Sequence, residues 1–390
     1  MRILKIHNHY LIRGGEDESF AAEDSLLQEQ GHQVDTYIEN NKRIANLGLW
    51  RTGLKTMWST ESYKLIRKKL KQSRYDVVHV QNFFPLISPS VYYAAKAEGL
   101  PVVQSLRNYR LSCPNALFFR EGKVCEDCLG KLIPWPGVLH RCYRDSLPAS
   151  AVSGMTLTLH RLLRTWDKQV DVYVAPTQFA RKKSIEGGIA PQKIVVKPNF
   201  VHPDPGIGNG QGEYALFVGR LSQEKGLDIL LQAWESLEKK VPLKIVGDGP
   251  LVNQVTETTA RLSHVEWLGT RTLAEVYELM GQAMMLIMPS KWYETFGRVV
   301  VESFAKGTPV IAANIGAIAE LVTPGHTGLH FISGDSADLA KSVDWMVTHP
   351  QARRTMGQQA REEFLANYTA KQNYQMLMEI YELARKASSD

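Results

Sequence analysis

The chain has 390 residues, more than one compact core accommodates and enough for two domains of ordinary size. With 44% hydrophobic and 22% charged residues it has the make-up of a folded globular protein and not of a disordered one. Its formal charge of +6 is mildly basic; no nucleic-acid readout motif accompanies it, so nucleic acid is not expected as a partner.

"MRILKIHNHY" is predicted to be a short strand ending in polar residues, with too short an apolar stretch for a signal peptide. "GGEDESFAAEDSLLQEQGH" follows as a helix with Phe20, Ala21, Leu26 and Leu27 apolar and Gly31 closing it. "QVDTYI", "YDVVHVQN", "LPVVQSL", "VDVYVAPT" and "KIVVKPNF" read as further strands; the run of Val77, Val78 and Val80 marks one buried on both faces. "HPDPGIGNGQGEY", His202 to Tyr214, is rich in Pro and Gly and reads as an interdomain linker. The alternation then restarts: strand "YALFVGRL", helix "GLDILLQAWESLEKK", then strands "PLKIVGDG", "HVEWLG", "MMLIMPS" and "TPVIAAN" separated by helical stretches. Strand–helix alternation predicts two α/β domains with parallel, doubly wound sheets. No window approaches the roughly 18 consecutive apolar residues of a membrane span. A cytoplasmic location is expected.

In such sheets ligands bind beyond the carboxyl ends of the strands. In "FVGRLSQEKGLDILL", Gly219 ends a strand and is followed by Arg220 and Lys225. Arg grips phosphate with paired hydrogen bonds and Lys adds a compact charge; an ordinary strand–loop–helix corner is the alternative. Gly247, in "IVGDGP", opens a second glycine turn that also suits a plain turn. "KWYETFGRVVVESFAKG" places Glu294 in a loop after a buried strand and Glu302 two turns into the following helix. A helix N-terminus attracts an anion. Two carboxylates flanking it can accept hydrogen bonds from hydroxyls, which suits a nucleotide sugar. A capping Glu and a solvated Glu are the alternative.

All four cysteines, Cys113, Cys125, Cys128 and Cys142, fall in one stretch, with Cys-x2-Cys at its centre and His140 as a spare ligand. In a reducing compartment this points to a structural zinc; reduced thiols and disulfides are the alternatives. A four-thiolate site leaves no open position for catalysis. From Lys42 to Arg74 ten basic residues face a single acid, Glu61, and are interleaved with Leu47, Leu49, Trp50, Leu54, Met57 and Trp58. Such a stretch can lie on an anionic membrane surface or be a solvated basic helix face.

"GRLSQEKG", "VGDGP", "WLG", "ETFGRVVVE", "GTPVIA" and "IGAIAELVTPGHTG", in this order, resemble glycosyltransferase family 4, the retaining enzymes of the GT-B fold. "GGEDE", "DVVHVQN", "PTQFAR" and "VVKPNF" resemble it more loosely. The resemblance implies two Rossmann-like domains facing each other across a cleft. Residues 1–200 would form the acceptor side, carrying the cysteine-rich insertion 113–142; residues 201–370 would bind the donor; a helix over 371–390 would pack back on the first domain. It also implies roles. Arg220 and Lys225 would hold the donor diphosphate, Glu294 the transferred sugar, and Glu302 the ribose. The backbone of Thr295, Phe296 and Gly297 would lie against the sugar and distal phosphate. Gly14 and Gly15 would let the first domain approach the donor. Catalysis would require no metal, with the leaving diphosphate stabilised by charge and retention explained by front-face attack.

Two positions depart from the pattern: Arg107 and Gln81 stand where His is common. Arg107 keeps its charge and cannot act as a base, so the His role would pass to His7, His9 or His79, or the donor would differ. The resulting expectation is a retaining transferase moving a hexose from a UDP- or GDP-sugar to a sugar or lipid-linked acceptor, in polysaccharide or glycolipid synthesis, peripheral to the inner face of the membrane. The alternatives are a nucleotide-sugar epimerase or hydrolase on the same fold, or a degenerate binding subunit.

Overall fold

The structure is a computed structural model, which describes residues 1–11, 14–237 and 241–389. It divides into two compact units. The first holds Met1–Phe118, Glu126–Pro198 and Lys371–Asp390; the second holds Phe119–Cys125 and Asn199–Ala370.

In the first unit the strands are β1 (Arg2–His9), β2 (Gln33–Asn40), β3 (Val77–Val80) and β4 (Val102–Ser105). A two-stranded antiparallel hairpin, β5 (Phe119–Arg120) with β6 (Lys123–Val124), belongs to the second unit, so the cysteine-bearing stretch 113–142 is divided between the two. β7 (Val172–Ala175) and β8 (Ile194–Val196) complete the first sheet, whose order is β2-β1-β3-β4-β7-β8, all parallel. β3, β4 and β7 are buried along their whole length, as strands covered by helices on both faces must be.

The second sheet is built from β9 (Ala215–Val218), β10 (Leu243–Val246), β11 (Val265–Gly269), β12 (Met285–Met288), β13 (Val310–Ala313) and β14 (Gly328–Phe331). Its order is β11-β10-β9-β12-β13-β14, again all parallel. In both sheets the chain reverses its winding direction once. The reversal lies between β1 and β3 in the first unit and between β9 and β12 in the second. The loops at the carboxyl ends of those strands flank a crevice, which is where doubly wound sheets bind ligands.

The final helix, Ala370–Ser389, places Leu377, Ile380, Tyr381 and Ala384 in one core cluster with Ile3, Leu27, Val77 and Val103 of the first unit. The i, i+3, i+4, i+7 spacing puts all four on one helix face. Asn373 Nδ2 donates to the Pro198 carbonyl at 2.7 Å, and Lys197 Nζ donates to Asn373 Oδ1 at 2.9 Å. These bonds tie the two points where the chain leaves and re-enters the first unit.

The expected linker, His202 to Tyr214, is not a loose tether. Gly208, Gly210 and Gly212 donate backbone hydrogen bonds to Lys306, Gly281 and Gln282, all within the second unit. Its glycines are needed for close approach: a Cβ on Gly208 would lie 2.1 Å from the Gly281 carbonyl oxygen. The helix predicted after β9 runs over Leu227–Ser236; the last residues of that prediction, 238–240, lie outside the described ones.

Candidate functional site

The loops after β9, β10 and β12 of the second unit interlock, and glycine is what allows it. Gly226 sits at φ +69°, and a Cβ there would lie 1.8 Å from the Pro289 carbonyl oxygen of the loop after β12. Gly247, at φ +139°, would place a Cβ 1.9 Å from the Gly219 carbonyl oxygen. Positive φ and backbone contact together exclude any other residue. The loops are also joined by bonds. The Lys291 N–H donates to the Glu224 carbonyl at 2.9 Å, and Lys291 Nζ reaches Asp228 Oδ2 at 2.7 Å.

Within this clasp Lys225 Nζ donates to Glu294 Oε1 at 2.5 Å and lies 5.4 Å from the centroid of the Trp292 ring. Ser290 Oγ donates to the same carboxylate oxygen at 3.0 Å. Gly297, at φ +94°, is the N-cap of the helix Arg298–Ala305 and, as a glycine, has no side chain with which to cap its first turn. The N–H groups of that turn therefore carry the partial positive charge of a helix start. Glu302 is the fifth residue of this helix, one turn in and not the two predicted, and it accepts from Arg298 Nε at 2.7 Å. Glu294 and Glu302 are both buried, and each is compensated by a neighbouring cation, as a buried carboxylate must be. Phe296 is a core residue that meets the Tyr368 ring, so its backbone and not its side chain belongs to the loop surface. Gly219 and Thr295 are half-buried, and Arg220 is exposed. The geometry offers buried carboxylates to hydroxyls, and cations and a helix start to an anion.

The first unit gathers Arg107, Gln81 and His79 around a residue that the sequence pattern did not single out. Glu23 is completely buried in the helix Gly15–Glu29. Gln81 Nε2 donates to it at 2.6 Å; Lys197 lies at 3.3 Å, His79 at 3.4 Å, Lys5 at 3.7 Å and Arg107 at 3.8 Å. The surrounding cations hold the Glu23 carboxyl far below the usual carboxylate range despite its burial. Burial pushes Lys197 down to about 8 and His79 down to about 3. Arg107 Nε also donates to Gln81 Oε1 at 3.0 Å. The two residues that depart from the family pattern thus form one unit around Glu23. A signal for Glu23 existed: it sits three residues after Phe20 and four before Leu27, on the apolar face of its helix.

None of the three histidines offered as substitutes is equivalent to another. His79 is sealed between Tyr381 Oη and Ser105 Oγ, each at 2.9 Å. His7 is buried, stacked on Phe20, with Nε2 2.8 Å from Asp17 Oδ1. His9 shares that oxygen through Nδ1 at 2.6 Å and is partly exposed. Asp17 also accepts from the Gly14 N–H at 3.1 Å, closing the helix start; its partners hold its carboxyl down at about 2. His7, His9 and Asp17 form a group of possible ligand atoms within 4.8 Å of one another. Gly14 and Gly15 are exposed, and a Cβ on either would meet nothing within 4 Å.

No disulfide joins any of the four cysteines. Cys113 Sγ donates to Asn115 Oδ1 at 2.9 Å, and Cys128 Sγ accepts the Gly137 N–H at 3.2 Å. His140 is exposed. The basic stretch 42–74 splits into the helices Ile44–Met57 and Thr60–Gln72; the second turns Ile66 and Leu70 into the core. No helix among the described residues is long and apolar enough to cross a membrane.

Two six-stranded parallel sheets in separate α/β units, with an anion-suited helix start at the reversal of the second, are the architecture of the GT-B class. The glycosyltransferase family 4 model matches residues 25–205, and the group 1 glycosyl transferase model matches residues 205–363. The chain belongs to glycosyltransferase family 4. It is 25% identical over 338 residues to spore coat protein SA of Bacillus subtilis, covering 81% of each chain. It is 31% identical over 183 residues to an uncharacterized glycosyltransferase of Methanocaldococcus jannaschii, an alignment spanning 46% of this chain and about half, 51%, of that protein. In fold it matches Anabaena HepE solved in complex with UDP, with a TM-score of 0.70 at 18% identity, over 97% of this chain and 99% of that one.

Proposed function

We propose that the protein is a retaining glycosyltransferase that moves a hexose from a UDP- or GDP-sugar to an acceptor hydroxyl, in polysaccharide or glycolipid synthesis. The observation that carries this reading is the clasp at the β9/β12 reversal. There Lys225, Glu294, Glu302 and a helix start at Gly297 are held together by glycines that admit no side chain. Breaking the sugar–phosphate bond concentrates negative charge on the departing nucleoside diphosphate. Arg220, Lys225 and the helix start would stabilise that charge where it develops. Glu294 would position the sugar and Glu302 would accept the ribose hydroxyls. The N–H groups of Thr295, Phe296 and Gly297 would lie along the sugar and distal phosphate, with Gly219 and Gly247 keeping the floor of the loop low.

In the first unit, Arg107 would add a fixed positive charge. Open space around Gly14 and Gly15 would admit the donor. Catalysis on this reading requires no divalent metal, and turnover is expected to persist when EDTA is present only during the assay. A structural zinc on Cys113, Cys125, Cys128 and Cys142 is a separate part of the proposal. It rests on the spacing of the four cysteines in the sequence; among the described residues the possible ligand atoms that lie together are those of His7, His9 and Asp17, not those of the cysteines. Metal analysis of the purified protein is expected to return one zinc per chain.

The test is a thermal-shift panel with UDP, GDP, ADP and their common sugars, on the wild type and on Glu302→Ala. A ligand that binds the native state raises its apparent stability. One nucleotide is expected to shift the wild type, and the variant to lose most of that shift. No shift up to millimolar ligand would overturn the donor site. Donor consumption without acceptor would instead favour an epimerase or hydrolase.

A further inference from the structure

Exposed apolar side chains are unevenly spread over this chain. Of the 21 exposed large hydrophobic residues among those described, 13 lie in two segments, 42–58 and 131–168. Both belong to the first unit, and the structure packs them together. Gly53 of the helix Ile44–Met57 allows Val152 of the helix Leu147–Leu162 to approach: a Cβ on Gly53 would lie 3.1 Å from Val152 Cγ2. His160 Nε2 lies 3.0 Å from the Met57 carbonyl on the same side. On its other side the helix Leu147–Leu162 meets the short helix Trp135–Leu139, where a Cβ on Gly154 would lie 2.9 Å from Val138 Cγ2.

Between these neighbours Met155, Leu159 and Leu162 stand exposed at i, i+4, i+7. They line an open apolar groove of about 390 Å³ together with Ile133 and Val138. Trp50 is 87% exposed and Trp135 57%. Exposed apolar side chains gathered in this way mark an interaction surface.

The charge on the same two segments selects what covers them. They hold ten Lys and Arg residues against two Asp, a net of +8, while the whole chain carries +6. The remainder is therefore net negative by two. A second copy of the chain would set +8 against +8, which opposes self-association. A negatively charged apolar surface satisfies both features at once: Trp and Leu enter the headgroup–acyl boundary while Arg and Lys meet anionic headgroups.

The geometry points to a docking face for an anionic lipid bilayer, formed by the helices Ile44–Met57, Trp135–Leu139 and Leu147–Leu162. This deepens the peripheral membrane contact expected from the sequence and relocates it. The lysines of Thr60–Gln72 contribute charge with a single exposed apolar side chain, Leu65, beside them, because Ile66 and Leu70 point into the core. The surface includes 131–168, a segment with no membrane signal in its residue pattern.

The experiment is sedimentation of the full chain with vesicles of phosphatidylcholine alone or mixed with phosphatidylglycerol. Binding is expected only to the mixed vesicles and is expected to weaken with salt. Arg51→Gln with Arg144→Gln is expected to weaken it about 25-fold, at about fivefold per basic residue. Trp50→Ser with Trp135→Ser is expected to reduce it at least as much. Lys64→Gln with Lys68→Gln removes the same charge and is expected to change it less than about threefold. Unchanged thermal unfolding and an unchanged nucleotide shift in each variant separate this result from folding and from the donor reading. The proposal is overturned if the wild type ignores the anionic vesicles. Equal losses in all three variants would overturn it too, as would a wild-type dimer that Trp135→Ser dissolves.

Discussion

The carboxylates of the two units solve the same problem in opposite ways. In the second unit Glu294, in a loop shaped by glycine, and Glu302, in the helix that follows it, each pair with a neighbouring cation at the carboxyl end of a sheet. In the first unit a single fully buried carboxylate, Glu23, gathers Lys5, His79, Gln81, Arg107 and Lys197 around it. A loop pair near solvent can open to exchange its partner for a ligand. A buried hub cannot, because any partner left behind is a desolvated charge. The second arrangement therefore acts as a scaffold: it holds Arg107 and Gln81 at the strand ends and fastens Lys197 beside the point where the chain leaves the unit. Binding chemistry and rigidity are divided between the units.

That division is sharpest at Glu23. Glu23→Gln leaves Lys5, Lys197 and Arg107 without their shared anion, and a loss of about 3–5 kcal/mol is expected in chemical denaturation. Loss of activity without loss of stability would break the comparison. Glu294→Ala is expected to do the reverse. Turnover should fall on the order of 100- to 1,000-fold, with a smaller change in denaturation midpoint than Glu23→Gln produces. Gly226→Ala tests the clasp itself: its Cβ would strike the Pro289 carbonyl at a positive φ, so a loss of at least about 2 kcal/mol is expected.

Acid should probe the hub more than the clasp. His79 is pushed down to about 3, so the unfolded chain binds more protons below its ordinary value of about 6.5. Glu23 lies well below the carboxylate range and Asp17 at about 2, so their contributions are present above the ordinary carboxylate value and fade as pH falls. All three signs agree. Melting temperature is expected to decline from about pH 6.5 and to steepen below about pH 4. His79→Gln is expected to flatten the upper part of that decline only. The smallest expected stability effect is at Gly15, where a Cβ meets open space: Gly15→Ala should shift stability by less than about 0.5 kcal/mol while lowering turnover.

The residue pattern revealed the alternation of strands and helices, the parallel sheets, and the glycine-rich loops after β9, β10 and β12. These are consequences of local rules. A strand buried on both faces must be apolar throughout, and a backbone that touches another backbone at positive φ must be glycine. Only the tertiary structure decided the rest. It strapped His202–Tyr214 along the second unit through backbone bonds at the same glycines that read as a linker's in the sequence. It shortened the distance of Glu302 from its helix start to one turn. It assembled Glu23, Lys5, His79, Gln81, Arg107 and Lys197 from one helix, two strands and the loops that follow three strands. Charge pairing over such sequence separations depends on which strands lie side by side, and that order is set by the packing of the whole sheet.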